Sequence, residues 1–141
     1  MSLQGRTGDS GQLAGPVRPE HRAGYIQHHG PGVQAIRRDI LEGEQIYGIF
    51  GDRRGPTILI GITNRRVLLV DAAYEDGRVA LTSVPLRQIV SCSYIVAADR
   101  PVTEATVVGI KVGRNMFEVS CTSPEEAQDV HGLIMWHLIG L

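Results

Sequence analysis

The chain has 141 residues, of which 43% are hydrophobic and 21% charged, as is typical of a single globular domain. Its 14 basic and 15 acidic side chains nearly cancel, which argues against a general nucleic-acid binder. The sequence contains neither a signal-peptide-like start nor an apolar run long enough to span a membrane. We therefore expect a cytoplasmic protein, with peripheral membrane attachment as an alternative.

Composition divides the chain into two parts. Residues 1–32 are rich in Gly, Pro, Ser, Gln and Arg and lack apolar periodicity, so we predict an arm that is flexible or ordered by a partner. Residues 33–141 are predicted to form the domain. It begins with a short helix over 33–42, because Val33, Ile36 and Ile40 recur at helical spacing before Gly43.

In residues 44–121 the apolar residues recur at every second position, which indicates β-strands. Short turns rich in Gly, Asn, Asp and Pro separate seven predicted strands: 46–50, 57–62, 67–70, 79–84, 90–96, 106–112 and 117–121. In the fifth, Val90, Cys92, Tyr94 and Val96 fall on one face, and Ser91 and Ser93 fall on the other. Cys92 and Cys121 lack CxxC spacing, and we expect them to be small buried hydrophobic residues. Antiparallel strands with tight turns predict a sandwich or barrel.

The last predicted element is a helix over 123–140. Ser123-Pro124-Glu125-Glu126 is a capping-box sequence. Ser123 is the N-cap, and the Glu126 side chain is expected to bond back to the backbone at the start of the helix. One apolar stripe follows at helical spacing: Ala127, Val130, Ile134, Leu138 and Leu141. We expect this stripe to cover the open end of the barrel or sandwich.

Three segments resemble motifs of bacterial pleckstrin-homology (PH) domains. Leu41-Glu42-Gly43-Glu44-Gln45-Ile46 is similar to their opening motif, 62–71 to the reversal between the second and third strands, and Val84-Pro85-Leu86-Arg87-Gln88-Ile89 to the entry of the fifth strand. The resemblance implies an α+β, PH-like, seven-stranded antiparallel barrel or sandwich capped by a C-terminal helix, here with an extra N-terminal helix. It also implies a non-catalytic module. Bacterial members are often homo-oligomeric, and because their ligands are mostly unknown, the resemblance does not name a ligand.

The sequence contains no recognisable catalytic or metal-binding motif, and we expect no enzyme activity, metal or cofactor. His131 and His137 are not at the i, i+4 spacing of a helical metal pair. His131 lies at the edge of the apolar stripe, where we expect a partly buried, satisfied imidazole.

Arginines in predicted turns suggest a phosphate or anionic-lipid site. Eukaryotic PH domains bind inositol phosphates through basic residues of the first inter-strand loop, and here that loop holds Arg53 and Arg54. Arg114, in the turn between strands six and seven, is predicted to lie near them. Arg65 and Arg66 are expected at the opposite end of a strand. The alternative is that these arginines only keep the turns soluble.

The final helix carries a second candidate surface. Trp136 lies on the side opposite the apolar stripe, flanked by Met135 and Ile139. Exposed Trp and Met side chains are typical of protein contact surfaces. Either self-association or the N-terminal helix could cover them. The sequence thus predicts a non-enzymatic interaction module that binds itself or another protein, with anionic lipid as an alternative ligand.

Overall fold

A computed structural model of the chain describes residues 31–51, 58–71 and 78–140. Within these ranges the elements are α1 (Pro31–Arg38), β1 (Ile46–Phe50), β2 (Ile58–Thr63), β3 (Arg66–Asp71), β4 (Ala80–Pro85), β5 (Ile89–Ile95), β6 (Val107–Val112), β7 (Asn115–Ser120) and α2 (Pro124–Ile139). Short 3₁₀ helices occupy Leu86–Gln88 and Val102–Glu104. The predicted N-terminal arm lies outside the described residues up to position 30.

The strands form two antiparallel sheets. Sheet A has four strands in the order β1-β2-β3-β4, and sheet B has three in the order β5-β6-β7. Within each sheet, every strand pairs with its neighbour in the chain, as tight turns between alternating segments predict. The predicted fold class is confirmed, in its sandwich form rather than as a closed barrel.

The main core lies between the inner faces of the two sheets and α2. Its buried members include Phe50, Ile60, Ile62, Val67 and Leu69 from sheet A, Val108, Ile110 and Val119 from sheet B, and Ala127, Val130, Leu133 and Ile134 from α2. Since α2 contacts strands of both sheets, it closes the sandwich as predicted. Leu138 is only partly buried, whereas Leu133 is fully buried; Leu141 lies outside the described residues.

The ends of α2 follow the sequence signals. The Ser123 hydroxyl accepts a hydrogen bond from the Glu126 backbone N–H at 3.1 Å, and the Glu126 carboxylate accepts one from the Thr122 N–H at 2.8 Å. Gly140 ends the helix at φ +77°, a conformation that favours glycine. Among the described residues, no helix has the length and apolar character needed to cross a bilayer.

The short helix α1 packs on the outer face of sheet A, away from the main core. Val33 and Ile36 are buried there against a second apolar cluster, whose sheet residues are Ile49, Leu68 and Val70. Gly61 of β2 permits this close approach, because a Cβ placed on it would lie 2.9 Å from Ile36 Cγ2. The predicted helix over 33–42 is thus present, but it ends at Arg38.

The predicted orientation of one side chain in β5 was wrong. Val90 was predicted to share a face with Cys92, which was expected to be buried, yet Val90 is 66% exposed. The register of β5 against β6 shifts between Ile89 and Ser91, and an extra residue at such a bulge reverses which side chains face the core. Ile89 is buried in its place.

Candidate functional site

The three motif segments meet at one end of sheet A. Asn64 exchanges hydrogen bonds with Gln45: its side-chain oxygen accepts from the Gln45 N–H at 2.9 Å, and its own N–H donates to the Gln45 carbonyl at 3.2 Å. The Leu86 N–H donates to the Arg65 carbonyl at 3.0 Å. These hydrogen bonds therefore connect the opening motif, the β2–β3 turn and the entry to β5.

Arg66 lies at the centre of this junction and is fully engaged. Its guanidinium donates to the Glu44 carboxylate from Nε at 2.8 Å and from Nη2 at 2.9 Å. It also donates to the carboxylate and the carbonyl of Asp39, at 3.0 Å and 2.6 Å, and to the Ser83 hydroxyl at 2.8 Å. Since an arginine side chain has five N–H donors, none remains for a ligand.

Glu44 is equally satisfied. Its side chain has no exposed surface, and its carboxylate accepts hydrogen bonds from the Thr63 hydroxyl at 2.7 Å and the Leu41 N–H at 3.0 Å. The hydrogen bonds from Arg66 are the main cause that lowers the pKa of Glu44 to about 2. Gly43 precedes it at φ +81°, which allows the turn that brings the carboxylate inward. This cluster is structural.

The predicted interface residues lie near the end of α2. Ile139 is 59% exposed, whereas Met135 and Trp136 are partly buried. The structure thus gives Trp136 less exposure than its position on the helical wheel suggested. The N-terminal helix α1 was the other segment that could cover these residues. It lies on the outer face of sheet A, whereas α2 packs on the core at the inner face of that sheet.

The predicted phosphate-binding residues are only partly described. Arg53 and Arg54 lie outside the described residues. Arg114 is exposed in the turn between β6 and β7, where Gly113 adopts φ +60°. In the sheet register Val112 pairs with both Asn115 and Ile89, so this turn lies beside the start of β5. The grouping of the three arginines stays a prediction.

An open cleft of about 570 Å³ lies where the β2–β3 turn, the β4–β5 connection and the end of α2 meet. We call it the basic cleft. Its polar lining comes from Asn64, Arg65, Arg87 and His137, and its apolar lining from Pro85, Leu86 and Leu138. Within the described part of the chain, neither the Arg65 nor the Arg87 guanidinium forms an ion pair.

His137 is held at the edge of this cleft. Its Nδ1 lies 2.8 Å from the Leu133 carbonyl oxygen, and because a carbonyl only accepts, Nδ1 carries the proton and donates. The imidazole ring also packs against the Tyr47 ring, with 4.9 Å between their centroids. One ring nitrogen, Nε2, is left available for another partner.

Comparison with solved structures identifies the architecture. A pleckstrin-homology domain from Shewanella amazonensis SB2B matches with a TM-score of 0.55 at 15% identity, over 74% of this chain and 83% of that one. A DUF1696 family protein with a pleckstrin-homology domain from Shewanella loihica PV-4 matches with a TM-score of 0.56 at 17% identity, over 74% and 88%. The chain has a pleckstrin-homology-like fold.

The likeness extends to a longer protein chain. The linker-DH/PH fragment of p115-RhoGEF matches with a TM-score of 0.52 at 11% identity, over 85% of the PH-like chain but only 36% of that fragment. No family model matches the sequence of the PH-like chain, and no curated protein matches it. The resemblance read from the three motifs is therefore confirmed at the level of the fold.

The remaining reactive side chains of the PH-like domain have packing roles. His131 is partly buried and stacks on Tyr94, with 4.4 Å between ring centroids; burial is the main cause that lowers its pKa. Burial also raises the pKa of both Cys92 and Cys121 to about 12, which keeps each thiol protonated. Cys121 and His131 match the roles predicted from sequence, whereas Cys92, predicted to be buried, is only partly buried. Among the described residues, no group of three or more His, Cys, Asp or Glu could hold a metal ion.

Sequence reasoning missed the two charged features of this PH-like domain. The motifs contain both Glu44 and Arg66, but nothing in the sequence pairs residues that are 22 positions apart. A usable signal was the position of the two charged residues: Glu44 comes just before β1, and Arg66 begins β3. A charged side chain that is buried beside an apolar strand needs a partner of opposite charge. The basic cleft had no comparable signal, because Arg65, Arg87 and His137 come from three separate elements.

Proposed function

We propose that this PH-like domain is a non-enzymatic interaction module that self-associates through the C-terminal end of α2. The observation that carries the proposal is the placement of Ile139, 59% exposed, beside the partly buried Met135 and Trp136. Apolar side chains on the helix face opposite the core gain burial when a second copy covers them. The resemblance to bacterial PH domains, which are often homo-oligomeric, supports a second copy as the partner.

Light scattering coupled to size-exclusion chromatography tests the proposal on the full chain. Ile139→Lys and Trp136→Ala are expected to convert an oligomer into a monomer. Val102→Lys is the matched control, because Val102 is 57% exposed and lies outside α2. A wild-type chain that is monomeric at all concentrations would contradict the proposal.

Trp136 also offers a direct optical probe, since it is the sole tryptophan of the chain. If the second copy covers it, dilution of the wild-type protein through the dissociation range shifts its fluorescence emission to the red. An emission maximum that does not change while the mass falls would place the interface elsewhere.

A second candidate function is binding of anionic lipid headgroups or phosphates through Arg53, Arg54 and Arg114. Support comes from Arg114, which is exposed at the tip of a tight turn. Guanidinium groups recognise phosphate by paired, charge-assisted hydrogen bonds. Co-sedimentation with anionic vesicles, before and after the double substitution Arg53→Ala and Arg54→Ala, tests it. Equal binding of both proteins would remove this candidate.

A further inference from the structure

The basic cleft brings together, at one concave surface, two cations that have no counterion among the described residues. Arg66 is neutralised by Glu44 and Asp39, and Arg100 pairs with Glu104 at 3.3 Å. Arg65 and Arg87 are both exposed and line the same cleft, yet within the described ranges neither has a carboxylate partner. Two unpaired cations at one concave surface create a positive potential that attracts an anion.

The backbone fixes the two arginines close to one another. The Arg65 carbonyl accepts the Leu86 N–H at 3.0 Å, and Arg87 is the next residue. The β2–β3 turn that carries Arg65 is itself held to β1 by the hydrogen bonds between Asn64 and Gln45. Because both side chains start from anchored backbone, only the side chains, and not the backbone, need to be ordered when they contact one ligand.

The other lining residues match an oxyanion attached to a partly apolar group. The Asn64 side-chain oxygen is already used by Gln45, so its amide NH₂ remains to donate. The ring of His137 is oriented by Leu133 and Tyr47, and with the proton on Nδ1 its Nε2 is an acceptor that can receive a hydrogen bond from the P–OH of a hydrogen phosphate. Pro85, Leu86 and Leu138 provide apolar surface beside these groups.

We propose that the basic cleft binds a phosphate-class oxyanion, with Arg65 and Arg87 as its two cationic contacts. The planar guanidinium offers paired donors that match the oxygens of phosphate. The site is separate from the predicted group Arg53, Arg54 and Arg114, and it does not depend on self-association. The phosphate is either free, as part of a small molecule, or the headgroup of an anionic lipid.

The first test is an NMR titration of the full wild-type chain with inorganic phosphate, against sodium chloride at matched ionic strength. The expected result is saturable shifts of the backbone amides of 64–66 and 86–88. A parallel assay measures co-sedimentation with phosphatidylglycerol vesicles, against phosphatidylcholine vesicles. Chemical-shift changes with inorganic phosphate indicate that the ligand is a free phosphate. Binding to the phosphatidylglycerol vesicles alone indicates a lipid headgroup.

The variant Arg65→Gln/Arg87→Gln should weaken whichever binding is observed by at least tenfold. Arg38→Gln/Lys111→Gln is the matched control, because it removes the same charge from exposed positions outside both the basic cleft and the predicted loop site, and it should bind as the wild type does. Both cleft arginines are exposed, and an unchanged thermal unfolding curve verifies the fold. The proposal is overturned if neither ligand binds, or if the cleft variant binds as tightly as the wild type or as the control variant.

Discussion

Arg66 and Glu44 form a two-point ion pair, with Nε–Oε2 at 2.8 Å and Nη2–Oε1 at 2.9 Å, although they lie 22 residues apart. The Glu44 side chain is fully buried and that of Arg66 is 12% exposed. Removing two charges from water is costly, and only a nearly complete set of hydrogen bonds compensates for it. Here Thr63, Ser83 and Asp39 complete that set.

Glu44→Gln should destabilise the domain, because it leaves the Arg66 charge buried with a weaker partner. Breaking a buried pair from one side costs about 3–5 kcal/mol, and we expect a loss of that order in the free energy of unfolding measured with urea. Glu104→Gln is the control, since its pair with Arg100 is exposed, at 65% and 52%. An exposed pair contributes about 0–1 kcal/mol, so equal effects of the two substitutions would contradict the structural role of Glu44.

The same carboxylate predicts a specific loss of stability in acid. The pKa of Glu44 falls from 4.5 to about 2 in the folded protein. A lowered pKa stabilises the folded state fully above pH 4.5, and this contribution is lost as the pH falls toward 2. The lost contribution is about 3 kcal/mol.

Urea unfolding at pH 6.5 and at pH 2.5 measures this linkage. The wild type should lose stability between the two pH values, and Glu44→Gln should lose less. The difference between wild type and variant should therefore shrink as the pH falls. A difference that is the same at both pH values would show that Glu44 does not titrate in this way.

Ile36→Ala should test whether α1 belongs to the folded domain. Ile36 is fully buried on the outer face of sheet A, and truncating a buried isoleucine costs about 2–5 kcal/mol. Gln34→Ala, on the exposed side of the same helix, should change the free energy of unfolding by less than about 0.5 kcal/mol. Equal stability of both variants would mean that α1 does not contribute to the cooperative unit.

Ser123→Ala should weaken the start of α2. Its hydroxyl accepts the Glu126 N–H, and loss of an N-cap costs about 1 kcal/mol. Ser123→Asp is the matching variant, because aspartate caps equally well and complements the helix dipole. Urea unfolding should show a loss with alanine and none with aspartate; a loss with both would point to a steric cause.

Local signals in the sequence predicted the secondary structure well because they depend on neighbouring residues. Alternation gave the strands close to their observed positions, and the capping box gave the start of α2. Val90 failed because a bulge depends on how β5 pairs with β6. The early end of α1 has a similar origin: the Asp39 carbonyl is taken by Arg66 and the Leu41 N–H by Glu44, so neither is available to extend the helix.

The sequence by itself determined the order of the elements, the antiparallel class of the sheets and the helix that closes them, since side-chain periodicity and capping are short-range properties. Only the tertiary structure decided which charges are paired and which remain available. Arg65 and Arg66 are adjacent in the chain, but successive residues at a strand end point in different directions. One is therefore buried against Glu44, while the other lines the basic cleft.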